Sequence, residues 1–174
     1  MPSIGHALGA VGTGWAVAGV ASSRKALGIQ VAVVAAIGLA PDLDLLIGRH
    51  SRETHSVGAA LIVATVAAWR RWPIVRTPRR IWLTAFCAWL SHPLLDTLAL
   101  DTTTPQGVML LWPFMTAHWQ TGIALFDPIR REWWEPGFAA HTTMAIFREL
   151  MLLAPPTALA WTLRRTRIDQ SGYS

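Results

Sequence analysis

The chain has 174 residues, of which 52% are apolar and only 14% are charged, against about 25% charged residues in typical soluble domains. This length predicts a single domain over residues 1–174, and the low charge leaves little polar surface for a soluble protein. The apolar content excludes intrinsic disorder, and the single cysteine excludes a disulfide framework or a multi-cysteine metal site. The net charge of +5 is compatible with binding to nucleic acid or to an anionic membrane surface. The positions of the basic residues decide between these two partners.

Five apolar stretches of helical length follow one another along the chain, at residues 4–22, 26–40, 56–69, 81–95 and 139–163. Several are shorter than the roughly 20 residues of a membrane span, but long basic side chains at one end of each can extend it by reaching toward the headgroups. The pattern predicts an all-α fold, an integral membrane bundle of about five helices. The competing interpretation is a soluble helical bundle whose loops alternate in charge.

The ends of these stretches differ in charge. If the chain crosses a bilayer up and down, one face receives most of the basic residues, and the other face receives all six histidines and most of the acids. By the positive-inside rule the basic face is cytoplasmic, so the amino terminus is expected outside and the carboxyl terminus inside. The arginines lie in separate loops without a nucleic-acid-binding fingerprint, so nucleic acid is not the expected partner. The basic face contains Arg24, Lys25, Arg70, Arg71, Arg76, Arg79, Arg80, Arg164, Arg165 and Arg167.

Residues 101–137 differ from the rest of the chain. Prolines and glycines interrupt any continuous helix there, while tryptophans keep the segment apolar. Because tryptophan is favoured at the membrane interface, we expect a tryptophan-rich interfacial loop or lid. Its tryptophans are Trp112, Trp119, Trp133 and Trp134.

Two short motifs carry carboxylates at metal-binding spacing. Asp42 and Asp44 flank one residue after an apolar run, and both side chains would address one cation if the backbone were extended there. His92 and Asp96 are four residues apart, which puts them on one face of a helix. Each residue alone could be an ordinary cap or packing residue.

Helix rise brings these groups to a common depth. At about 1.5 Å per residue, the candidate ligands lie about 22–27 Å from the basic boundary, just inside the far edge of a hydrocarbon core of about 30 Å. Ionisable groups in apolar segments tend to mark functional sites, and imidazole plus carboxylate without thiolate favours a divalent metal, zinc first, with manganese or magnesium as alternatives. The predicted ligands are His6, Asp42, Asp44, His55, His92 and Asp96, and Glu149 falls at the same depth.

The order of these motifs resembles the YdjM-like family of bacterial membrane-bound metal-dependent hydrolases. The chain departs from the family pattern at Leu45, where members often carry His, and at Ser51, where they often carry Arg. The resemblance extends through Gly5-His6, Pro41-Asp42-Leu43-Asp44, His50 to Ser56, Ser91-His92 with Asp96, Pro105-Gln106-Gly107, Leu111-Trp112-Pro113-Phe114, Trp133 to Phe138, His141 and Arg148-Glu149.

The resemblance implies a multi-pass protein of the bacterial inner membrane that hydrolyses an ester or phosphoester with the help of a metal ion. The charge distribution puts the site toward the outer face, and its position under a tryptophan-rich loop suggests a lipid-linked or amphiphilic substrate. Arg49 or Arg52 would bind the anionic group of the substrate, and His50 or Glu149 would act as a further ligand or a general base. Two alternatives stay open: a metal-ion or proton transporter or channel, and an inactive scaffold with a structural metal.

Overall fold

The computed structural model describes residues 3–48, 50–102, 104–128, 130 and 132–171, with side chains as far as Arg165. In this part of the chain the regular structure is entirely helical, apart from two isolated β-bridges. The all-α class predicted from the sequence is therefore confirmed. The elements are α1 (Ser3–Ala18), α2 (Arg24–Leu39), a 3-10 helix (Ala40–Ile47), α3 (Val57–Trp69), α4 (Pro78–Thr97) and α5 (Phe138–Ser171).

Local chemistry explains where the helices begin and end. The hydroxyls of Ser23 and Ser56 accept hydrogen bonds from backbone N–H groups in the first turns of α2 and α3, at 3.2 and 3.1 Å, which satisfies donors that a helix leaves free. Pro78 opens α4, where its missing N–H costs nothing. Gly19, with φ of 83°, stops α1 short of the predicted boundary at residue 22.

The segment that carries Asp42 and Asp44 is helical, so the extended backbone that would let both side chains address one cation is not present there. Helix α2 runs directly into the 3-10 helix, which has Pro41 in its first turn and ends at Gly48 with φ of 66°. In a helix of three residues per turn, side chains two positions apart point in different directions. Asp42 and Asp44 therefore approach the site from different sides.

Helix α4 is central, packing against α1, α2 and α3, and α1 also contacts α2 and α5. The core between these helices consists largely of small residues, including Ala10, Ala64 and Ala88, all fully buried. At Gly38 on α2, a Cβ atom would collide with Ala10 and lie 3.1 Å from the carbonyl oxygen of His6. Small residues thus let helix backbones approach closely, as in membrane helix bundles.

One described helical stretch, Arg24–Ile47, is long and apolar enough to cross a membrane, with 24 residues and a mean hydropathy of 1.8. Val57–Trp69 is apolar but shorter. Large apolar side chains such as Ile62 and Phe147 are nevertheless exposed on the helices. The number of spans stays a prediction.

The loop between α4 and α5 is anchored on the amino-terminal end of α3. The backbone N–H groups of Val57 and Gly58 donate to the carbonyls of Leu110 and Trp112 at 2.9 and 3.0 Å. A Cβ on Gly58 would lie 2.6 Å from the Trp112 carbonyl oxygen, so only glycine permits this approach. Phe114 and Trp133 on the same loop are 86% and 72% exposed.

Candidate metal centre

Four side-chain atoms from three parts of the chain converge at one end of the bundle. His92 Nε2 lies 3.2 Å from His55 Nε2, 3.2 Å from Asp96 Oδ2 and 3.4 Å from Asp42 Oδ1. His55 Nε2 lies 3.6 Å from each of the two carboxylate oxygens. Both imidazoles are fully buried.

These separations have the size that a small metal ion requires. Ligands about 2.0–2.1 Å from a tetrahedral zinc ion are separated from one another by about 3.3 Å, and the five measured distances run from 3.2 to 3.6 Å. Two imidazole nitrogens and two carboxylate oxygens, without sulfur, form a donor set that zinc and manganese accept. The residues present therefore fit a divalent ion.

The ring of His92 is held by a backbone carbonyl. Its Nδ1 lies 2.6 Å from the carbonyl oxygen of Gly38, which only accepts hydrogen bonds, so Nδ1 carries the proton and donates. In the neutral ring Nε2 then presents a lone pair toward the centre. A donor bond from the far nitrogen to a carbonyl is the usual support of a metal-binding histidine.

His55 is supported in the same way by Asp44. Its Nδ1 lies 3.2 Å from Asp44 Oδ2, and the same carboxylate oxygen accepts a 2.6 Å bond from the hydroxyl of Thr54. The Thr54 carbonyl in turn accepts a 2.8 Å bond from the Trp89 indole. Asp44 therefore lies behind His55, on the side away from the convergent atoms.

The charges at the centre favour a cation. Burial lowers the pKa of His55, but hydrogen bonds from its ring to Asp42 and Asp44 outweigh that cost, so the pKa is raised above its ordinary value. With both Nδ1 atoms donating elsewhere, neutral rings would leave two nitrogen lone pairs and two carboxylate oxygens facing one another. A proton on a ring or a metal ion relieves this repulsion.

His6 joins the cluster from α1. Its Nε2 lies 3.2 Å from Asp96 Oδ1, the carboxylate oxygen opposite the one near His92, and its ring stacks on that of His92 with centroids 3.6 Å apart. His6, His92 and Asp96 offer ligand atoms within 4.8 Å of one another, as do Asp42, His50 and His55. The Nδ1 atom of His6 is buried and has no hydrogen-bond partner among the described residues.

His50 lies at the open side of the cluster. Its side chain is 35% exposed, and Nδ1 is 3.1 Å from Asp44 Oδ1 and 3.8 Å from Asp42 Oδ1. The ring packs edge-on against His55. His50 is thus the imidazole of the cluster that also contacts solvent.

Glu149 enters from α5 and is 1% exposed. Its Oε2 accepts a 2.8 Å hydrogen bond from the backbone N–H of Gly5, next to His6, and its Oε1 is buried without a partner among the described residues. A buried acceptor at the amino-terminal turn of α1 is stabilised by the helix dipole.

Of the two candidate anion-binding arginines, Arg52 is exposed on the loop before His55, and Arg49 lies outside the described residues. Two further residues of the family motifs contact groups outside the cluster. His141 donates to the Pro128 carbonyl at 2.9 Å, and Arg148 pairs with Asp127 at 3.0 Å. The structure therefore brings the six predicted ligands, His50 and Glu149 to one end of the bundle, and their roles stay a prediction.

Sequence reasoning did not single out Gly38, Thr54 or Trp89 as supports of the histidines. Gly38 acts through its backbone carbonyl, and a carbonyl leaves no signature in the residue type. Thr54 acts through its carbonyl and through its hydroxyl, which donates to Asp44. From the sequence alone, that hydroxyl could equally be a helix cap.

The fold and the centre together define an all-helical protein of small-residue packing with a buried histidine and aspartate cluster at one end. The model of the YdjM inner membrane protein family matches residues 1–168. The chain belongs to this family, which confirms the resemblance seen in the sequence. As a member of this family, the chain is an inner membrane protein. No curated protein and no solved structure matches the chain.

Proposed function

We propose that this protein is a membrane-embedded metal-dependent hydrolase that cleaves an ester or phosphoester of a lipid-linked or amphiphilic substrate. The observation that carries the proposal is the convergence of His55 Nε2, His92 Nε2 and two aspartate oxygens at 3.2–3.6 Å. This arrangement is costly without a cation and has the dimensions of a small ion's ligand shell.

Asp42, His55, His92 and Asp96 would hold the ion, zinc in first place and manganese or magnesium otherwise, and His6 would bind Asp96 or a further ion. When bound, a divalent ion supplies Lewis acidity, which acidifies water and polarises the ester oxygen. Asp44 and the Gly38 carbonyl keep the two imidazoles in the tautomer that presents Nε2.

His50 is suited to move the proton. Its ring is partly exposed beside the ligands, and Asp44 lies 3.1 Å from its Nδ1, so the carboxylate fixes the ring orientation and stabilises the imidazolium. His50 accepts a proton from the attacking water and returns it to the leaving oxygen. Glu149, more deeply buried, is the second candidate for this role.

An arginine would neutralise the anionic group of the substrate. Arg52 precedes His55 on an exposed loop, and Arg49 is the alternative. A guanidinium offers two parallel hydrogen bonds to a phosphate, which an ammonium does not reproduce. We expect one of the two arginines to accept neither Ala nor Lys.

The family and the charge distribution support the proposed membrane placement. Membership of an inner membrane family, the exposed apolar side chains on the helices and basic residues at the opposite end from the cluster favour several spans, with the centre toward the outer face. The tryptophan-rich loop would then lie at the interface above the centre.

The test combines metal content with hydrolysis. The full chain, purified in phosphatidylcholine nanodiscs, is analysed for bound metal by mass spectrometry and assayed with bis(p-nitrophenyl) phosphate and p-nitrophenyl butyrate. We expect bound zinc or manganese and hydrolysis of one ester. His92→Ala and Asp96→Ala should lose both, because removal of a ligand costs more than the roughly 10- to 100-fold typical of a supporting residue.

His141→Ala is the matched control, because that ring donates to a loop carbonyl outside the cluster, and it should keep metal and activity. If His92→Ala and Asp96→Ala both keep the metal content of the parent protein, the cluster contributes to packing and does not bind the metal. Bound metal without hydrolysis, together with ion flux into liposomes, would instead establish the transport alternative.

A further inference from the structure

An apolar groove of about 430 Å³ lies between α1, α4 and α5, within the range of about 300–1,000 Å³ of small-molecule sites. It is lined by residues of all three helices. Along α4 the lining extends from Cys87 to Leu98, a distance of about 16 Å at helical rise. The groove is therefore long and narrow, in the direction of the helices.

The wall of the groove offers hydrocarbon and no free hydrogen-bonding hydroxyl. Its three hydroxyl residues each donate to a backbone carbonyl: Thr13 to Gly9 at 2.9 Å, Ser91 to Ala88 at 2.8 Å and Thr157 to Leu8 at 3.2 Å. A ligand in this groove would gain mainly by burying apolar surface and would find no free hydroxyl proton. The chemistry of the wall selects an alkyl chain.

The lining residues of the groove lie close in the sequence to the histidine and aspartate cluster. Gly9 follows His6 by three residues on α1, and Leu153 follows Glu149 by four on α5, so each pair shares a helix face. On α4, Ser91 and Leu95 directly precede His92 and Asp96. On all three helices the polar residues lie within one turn of the groove lining.

Two buried polar atoms of the cluster also point to a ligand. His6 Nδ1 and Glu149 Oε1 have no partner among the described residues, and the two side chains are 1% exposed. Buried polar atoms are nearly always hydrogen-bonded in proteins. A phosphoester head at the cluster can complete these bonds, because its oxygens accept from a protonated imidazole or carboxyl group.

We propose that this groove binds the alkyl chain of a phosphoester amphiphile, whose head lies at the cluster and is the group that is cleaved. This inference rests on the proposed function and names its substrate class. The apolar wall takes the chain, and the cluster takes the head, so both parts are required for binding.

The single cysteine of the chain, Cys87, lines the groove and is partly exposed, which provides a reporter independent of catalysis. The full chain in phosphatidylcholine nanodiscs, loaded with zinc, is alkylated with N-ethylmaleimide and followed by intact mass. Hexadecylphosphonate is the probe, because its carbon–phosphorus bond is not hydrolysed. Two control compounds separate the parts of the probe. Butylphosphonate keeps the head but has a short chain, and hexadecanol keeps the long chain but has no phosphonate.

We expect hexadecylphosphonate at about ten times its Kd to slow Cys87 alkylation about tenfold, because only the free fraction reacts. Neither control should do so at the same concentration. Equal protection by hexadecanol would overturn the proposal, since the groove would then hold any membrane hydrocarbon. Absence of protection by hexadecylphosphonate would overturn it as well.

Variants locate the effect in the groove. Thr13→Phe fills the groove and should abolish protection, and Leu94→Trp, at an exposed lining position, is a second filling variant if the first does not fold. Thr65→Phe is the matched control, because Thr65 makes the same intrahelical bond, to Leu61 at 2.8 Å, on an exposed face of α3. Protection that survives both filling variants contradicts the proposal.

The two proposals fail separately. If the protein hydrolyses neither test ester but hexadecylphosphonate still protects Cys87, the hydrolase assignment fails and the amphiphile site stands as a binding site. If the protein hydrolyses bis(p-nitrophenyl) phosphate but no probe protects Cys87, the hydrolase stands and the amphiphile site fails.

Discussion

The two aspartates of the 3-10 helix occupy different positions around the same histidine. Asp42 Oδ1 faces the Nε2 atom of His55 at 3.6 Å, while Asp44 Oδ2 faces its Nδ1 atom at 3.2 Å. The first oxygen is placed to bind an ion directly, and the second to orient the ring. The division matters because supporting carboxylates and ligands respond differently to mutation.

Asp44→Asn should weaken metal binding without abolishing it. The amide keeps the shape of the carboxylate but loses the charge that polarises His55, so we expect about 10- to 100-fold lower affinity, with full occupancy restored at higher metal concentration. Isothermal titration with zinc measures the affinity and the number of ions bound at saturation. Asp127→Asn, at a partly exposed ion pair with Arg148, is the control. Loss of stoichiometry in Asp44→Asn at saturating zinc would make Asp44 a ligand after all.

Metal affinity should rise with pH. In the metal-free protein the pKa of His55 is raised above its ordinary value, and an ion can bind Nε2 only after that proton leaves. The apparent affinity is therefore expected to increase through neutral pH and to level off once His55 is deprotonated, with proton release on binding. Titrations in buffers of different ionisation enthalpy detect this release. An affinity that is constant between pH 6 and pH 9 would contradict it.

At the scale of helices, the sequence predicts the parts of the fold that depend on composition and periodicity. The four-residue spacing of His92 and Asp96 on α4 is an example: the pair does face one centre. The 3-10 helix after α2 could not be read from Pro41-Asp42-Leu43-Asp44, because proline followed by acids is common in turns and extended segments as well. Contacts made by carbonyls, such as that of Gly38, depend on how helices cross and leave no trace in residue type.

Gly38→Ala should reduce both stability and metal affinity. The added Cβ would collide with Ala10 on α1, and a shift of α2 would move the carbonyl that accepts the hydrogen bond from His92 Nδ1. Gly28→Ala, on the same helix with open space around its Cβ, should be neutral or stabilising by up to about 1 kcal/mol. Thermal unfolding and zinc titration measure the two effects.

The double variant Gly38→Ala with Ala10→Gly makes room for the new methyl group and should recover part of both losses, because the two residues are in contact and their effects are not additive. If Gly38→Ala behaves like Gly28→Ala, the close crossing of α1 and α2 does not support the centre.

At the scale of the whole molecule, the ends of the bundle differ in chemistry. The loop between α3 and α4 contains the exposed residues Arg70, Arg71 and Arg76, while the histidine and aspartate cluster lies at the other end of α3 and α4. A pathway for ions would need polar groups throughout the bundle. Between the two ends, the core of α3 and α4 is formed largely by buried alanines, which favours a site at one interface over a route across the membrane.

The topology can therefore be tested with one residue at each end. In a variant with Cys87→Ser, single cysteines replace Arg76 in the loop before α4 and Ser51 in the loop before His55. If several helices cross the membrane, a membrane-impermeant maleimide added to intact cells should label Ser51→Cys, and Arg76→Cys should react only after the inner membrane is opened. The expectation follows from the basic residues near Arg76, which the positive-inside rule assigns to the cytoplasm. Labelling of both positions from the same side would contradict the topology and would remove the outer face as the place where the substrate reaches the centre.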